Sequence, residues 1–108
     1  MFELRYISGP HGDCTCYYDV KINKPCTVRE FINEVLLNHS GEWGDICIKD
    51  KDIEYRDEVA CEYDHGKIKT LKEKYLDRIV LGGTANGGWS AMSYWLIVKE
   101  NNTYEKNK

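Results

Sequence analysis

The segment Ala91-Met92-Ser93-Tyr94-Trp95-Leu96-Ile97-Val98 limits what this chain can become. Read as a strand, it carries Met92, Tyr94, Leu96 and Val98 on one face and Ala91, Trp95 and Ile97 on the other. Successive side chains of a strand point to opposite sides, so both of its surfaces are apolar. Such a strand belongs in the middle of a sheet or beneath two layers, not at an edge. A chain of 108 residues has room for one such sheet and its cover, hence for a single domain. We expect the domain over residues 1–98 and a polar, flexible C-terminal tail over 99–108.

The cover is predicted from Thr27 onwards. Thr27-Val28-Arg29-Glu30 reads as a capping box, in which the hydroxyl and the carboxylate each take up a backbone N–H of the first turn. Val28, Phe31, Ile32, Val35 and Leu36 follow at helical spacing and form one apolar stripe. Asn38-His39-Ser40-Gly41 ends the helix, with Gly41 suited to a left-handed cap.

Upstream, residues 2–7 and 14–22 alternate apolar and polar around the turn signal Ser8-Gly9-Pro10-His11-Gly12-Asp13, which predicts an antiparallel hairpin. Cys16, Tyr18, Val20 and Ile22 share one face of its second strand, so Tyr17 faces the other way. Downstream, residues 45–49 form a short strand and 53–64 an extended one, with Val59, Cys61 and Tyr63 on one face. Tyr55 and Tyr63 are expected to resemble Tyr17 in facing outward. Asp64-His65-Gly66-Lys67 reads as a tight hairpin turn. It would set Asp64 opposite Lys67, Tyr63 opposite Ile68, Glu62 opposite Lys69 and Cys61 opposite Thr70. Thr70-Leu71-Lys72-Glu73 is a second capping-box pattern, for a short helix or turn, with strand through Leu71 as the alternative. Residues 78–81 read as a strand, 82–88 as a flexible glycine loop and 89–98 as the last strand.

The predicted class is α+β: a mixed sheet with one main amphipathic helix packed on one face. The order of hairpin, helix and strands, with the most apolar strand last, resembles the ubiquitin-like β-grasp superfamily over roughly residues 2–98. That resemblance implies a last strand at the centre of the sheet beside the first. The chain ends in Glu105-Lys106-Asn107-Lys108, and Gly82-Gly83 is internal, so conjugation through a terminal diglycine is not implied.

The net charge of −3 disfavours a general nucleic-acid binder. The charge is uneven: residues 41–66 hold 3 basic and 9 acidic groups, whereas residues 67–108 hold 8 basic and 4 acidic. With Asp50, Asp52 and Glu54 on a solvated face and Tyr17 and Tyr55 pointing outward, this pattern suits a protein partner of basic character. The expected function is a small protein-binding module of adaptor or inhibitor type. Strand addition at an unpaired sheet edge would allow a homodimer. The alternative is small-ligand or anion binding by Gly82, Gly83, Asn86, Gly87, Gly88 and Trp89, through backbone N–H groups and a stacking indole. Gly82-x4-Gly87 is followed by Gly88-Trp89, not by the Lys and Ser or Thr of a phosphate-binding loop.

Five cysteines cannot all pair, and Met1-Phe2-Glu3-Leu4-Arg5 is no secretory start, so we expect reduced thiols and a cytoplasmic protein. His11, Cys14 and Cys16, with Cys26 as a fourth donor, are the nearest approach to a metal cluster. A C-x-C pair without a matching second pair does not specify one, and no metal or cofactor is expected. No nucleophile elbow or H-E-x-x-H occurs, so no catalytic residue is assigned. The longest uncharged stretch, residues 79–98, is broken by glycines and polar residues and predicts no membrane span.

Overall fold

The computed structural model describes residues 1–12, 14–38, 43–50, 58–88 and 91–101, with Asp50 described by its backbone. The elements are β1 (Phe2–Ser8), β2 (Cys16–Ile22), α1 (Val28–Asn38), β3 (Trp43–Asp50), β4 (Glu58–Asp64), β5 (Lys67–Leu71), a 3-10 turn at Glu73–Tyr75, β6 (Ile79–Gly88) and β7 (Ala91–Lys99). The strands form one seven-stranded sheet in the order β1-β2-β6-β7-β3-β4-β5. β7 is central, antiparallel to β6 and parallel to β3, as its two apolar faces require. The expected place of the last strand beside the first is corrected: β1 lies at the sheet edge, separated from β7 by β2 and β6.

β2 and β3 run in the same direction on either side of the β6–β7 pair, so the connection between them must cross both central strands. α1 makes that crossing. It buries Val28, Phe31, Ile32 and Val35 against Val20, Ile46, Ile48, Ala85, Tyr94, Leu96 and Val98. The Phe31 ring stacks on Phe2, with centroids 4.1 Å apart, and meets Tyr94 edge-on at 5.5 Å.

The start of the helix is fully bonded. Glu30 N–H donates to Thr27 Oγ1 at 3.2 Å, and Thr27 N–H donates to Glu30 Oε1 at 2.9 Å, which is the predicted capping box. Val28 and Arg29 N–H donate to the carbonyls of Arg78 and Leu76, at 2.9 and 3.0 Å. The orphan donors of the first turn are thus satisfied, and the helix is tied to the entrance of β6.

Further expectations are corrected. Residues 82–88 are no loop: they lie within β6, paired with β2 on one side and β7 on the other. Glycine there serves close approach, since at Gly83, with φ +157°, a β-carbon would overlap the Trp95 carbonyl oxygen. The second capping-box pattern caps no helix: the strand continues through Leu71, the alternative the sequence offers, and a 3-10 turn without a side-chain cap follows at Glu73–Tyr75. The β4–β5 turn has the positive φ angles expected at His65 and Gly66 and sets Asp64 opposite Lys67 and Tyr63 opposite Ile68. An irregularity then passes over Lys69, so that Glu62 faces Thr70, whose hydroxyl donates to Glu62 Oε1 at 3.0 Å, and Cys61 faces Leu71.

Candidate functional site

α1 covers one face of the sheet, and among the described residues no helix or strand crosses the other. Strand alternation decides which side chains line that open face. In β7 they are Ala91, Ser93, Trp95 and Ile97, because Tyr94, Leu96 and Val98 lie in the core. Register then places Thr84 and Cys47 on either side of Trp95, Lys49 beside Ile97, Asp45 beside Ser93, and Trp43 beside Ala91. β4 adds Val59 opposite Cys47 and Glu62 opposite Asp45.

A bulge explains Val59. Sequence alternation groups it with Cys61 and Tyr63, but β3 pairs Ile46 with Cys61 and then Cys47 with Val59, which leaves Ala60 as the extra residue. Val59 therefore turns to the open face. The result is an apolar patch in which Ile97 is 44% exposed and Val59 38%, around a Trp95 that is half-buried, while Trp43, 56% exposed, stands beyond the polar row Glu62–Asp45–Ser93. Exposed apolar surface of this kind marks interaction sites. A groove of about 190 Å³ beside Trp95 is lined by Lys49, Gly83, Thr84, Trp95, Leu96 and Ile97. That lies below the roughly 300–1,000 Å³ of a small-molecule pocket, and suits one inserted side chain.

The patch has an acidic flank. Asp45 and Glu62 are direct cross-strand partners on the open face. Like charges in that relation repel. Asp45 Oδ1 is shielded from solvent and has no hydrogen-bond partner among the described residues.

The residues singled out from sequence are spread over the sheet. Tyr17 is exposed on the open face, and the His11 ring meets it edge-on at 5.3 Å. His11 Nε2 also lies 3.1 Å from the Ser8 hydroxyl. Cys16 is half-buried on the helix side of β2 and Cys14 is exposed, and among the described residues no group of three or more His, Cys, Asp or Glu is placed to hold a metal. Tyr63 does not face outward: it is 1% exposed, beneath the helix side of the sheet. Burial first, then Asp45 and Cys61, push its phenol up to about 12. Asp50 ends β3 with its backbone paired to Val98. Asp52, Glu54, Tyr55 and Trp89 lie outside the described residues. Gly82, Gly83, Asn86, Gly87 and Gly88 form the middle and end of β6, and only Gly83 lines the groove.

Sequence reasoning missed Trp43, Asp45, Val59, Trp95 and Ile97 as surface residues. For Trp95 and Ile97 the signal was present, as the second apolar face of β7. That pattern fits a central strand or one beneath two layers; β7 is central, and the face bearing Trp95 and Ile97 is open. Comparison with known proteins finds no matching family model, curated protein or solved structure.

Proposed function

We propose that the chain is a small protein-binding module, of adaptor or inhibitor type, that engages its partner with the open face of the sheet. The observation that carries this reading is the patch of Trp95, Ile97 and Val59 on the uncovered face, with the exposed Trp43 on the far side of Asp45. Aromatic anchors at the centre of a patch dominate protein–protein binding. The groove beside Trp95 would receive an apolar side chain. The neighbouring Asp45 and Glu62 carboxylates would receive a lysine or arginine, relieving a repulsion and supplying the donor that Asp45 Oδ1 lacks among the described residues. A basic partner fits this flank as it fits the acidic composition of residues 41–66. The reading uses the hairpin–helix–sheet arrangement that resembles β-grasp domains, but needs only that one face be free.

Affinity capture from source-cell lysate tests it, with wild type, Ile97→Asp and Lys74→Ala as baits. A partner retained by wild type and Lys74→Ala and lost with Ile97→Asp is the expected result. Equal capture by all three, or none by any, contradicts the proposal.

A further inference from the structure

The outer edge of β1 is, among the described residues, a feature of the fold with backbone groups turned away from the sheet. Asn23 N–H donates to Met1 O at 2.9 Å, across the Phe2–Ile22 pair. That bond defines Phe2–Ile22 as a widely spaced pair, whose backbone groups point away from each other. By alternation, Glu3 and Arg5 bond to β2, while the N–H and C=O of Leu4 and Tyr6 point outward along the sheet edge. Among the described residues no strand lies beyond β1.

We propose that β1 pairs with β1 of a second copy of this chain, antiparallel and centred on Leu4. This centre satisfies both charge and bonding. It sets Glu3 opposite Arg5 of the second copy, twice, in positions where side chains approach closely, and lets the two Leu4 residues exchange N–H···O bonds. A centre on Glu3 or Arg5 opposes like charges and uses backbone groups already bonded to β2. On the helix side, Leu4 meets Leu4 and the exposed Tyr6 ring meets Phe2 of the other copy, which extends the core across the seam. At the opposite edge, self-pairing of β5 centred on Lys67, Ile68 or Lys69 sets lysine against lysine.

The two-fold axis of such a pair is normal to the sheet. Both helices then lie on one side and both open faces on the other, a bivalent arrangement. The pairing does not depend on what the open face binds.

Sedimentation velocity over a concentration series, from low micromolar to near-millimolar, tests the proposal. Wild type is expected to dimerise reversibly, less so at high salt. Glu3→Arg and Arg5→Glu alone should each weaken dimerisation by about tenfold or more. Mixing these two variants should restore it as a heterodimer, because each strand then meets its charge complement. Glu3→Gln with Arg5→Gln, which creates no like-charge pair against Lys21 or Asp19 of β2, should remove the salt dependence. A wild type that stays monomeric, single variants that dimerise like wild type, a mixture that forms no heterodimer, or unchanged salt dependence in the neutral variant would each overturn the pairing.

Discussion

The phenolic oxygen of Tyr63 rests against Gly44, in the space that a β-carbon on residue 44 would occupy. The two residues are cross-strand partners in β3 and β4. Glycine at 44 is what lets the ring lie flat over the strand. Among the described residues the hydroxyl gains no hydrogen bond there, and neither does that of Tyr94. Gly44→Ala should therefore lower unfolding free energy by about 1–3 kcal/mol, the usual range for overpacking, as read by urea denaturation. Tyr63→Phe removes an unsatisfied buried hydroxyl and should be neutral or stabilising. A large loss in Tyr63→Phe would show that the hydroxyl is bonded after all.

Asp45 and Glu62 offer a separation of stability from binding. Asp45→Asn removes a like-charge pair and should raise the stability of the isolated protein by about 0.2–1 kcal/mol. The same change should weaken capture of a basic partner. Thermal unfolding and affinity capture on one preparation check both. Loss of stability, or unaltered capture, contradicts the assigned role.

Glu58 couples β4 to the segment after β5. Its carboxylate accepts hydrogen bonds from Lys72 Nζ and from the Tyr75 hydroxyl, and Lys74 Nζ lies 3.6 Å away. The bonds from Lys72 and Tyr75, followed by the charges of Lys72 and Lys74, hold its pKa at about 2 against an ordinary value of 4.5. The folded value is the lower one, so the stabilisation is complete above the ordinary carboxylate value. It fades as pH falls toward about 2. Denaturation of wild type and Glu58→Gln across that window should show a steeper acid loss for wild type. Parallel curves would place the acid sensitivity elsewhere.

How far this architecture was legible depended on side chains. Helix α1 was written in Thr27, Glu30 and the stripe Val28–Phe31–Ile32–Val35, because each residue there has a side chain that reports its direction. The central place of β7 was written in its two apolar faces. β6 was not legible past Leu81: its glycines carry no pattern, and they are held in the sheet by β2 and β7 rather than by local preference. The bulges at Ala60, Lys69 and Leu81 each move a neighbour to the other face or shift its partner, and no residue type announces them. Tyr17 faces outward as expected and Tyr63 does not, and the bulge at Ala60 parts Val59 from the face it was expected to share with Cys61 and Tyr63.

The cysteines should react in an order set by burial. Cys14 is exposed and Cys16 half-buried. Cys26 and Cys61 are buried, and burial above all pushes each thiol up to about 11. Native alkylation near pH 8 should label Cys14 first and leave Cys26 and Cys61 unmodified until denaturant is added, as peptide mass spectrometry would show. Early labelling of Cys61 would contradict the packing of β4 against the core.

Residue 97 gives the most direct view of the open face. With a photo-crosslinking amino acid at position 97, irradiation in source cells should yield a discrete adduct with one partner protein. The same group at Leu37, exposed on the outer side of α1, should yield none. An adduct from 37 and none from 97 would place the interface on the helix side and contradict the proposed use of the sheet.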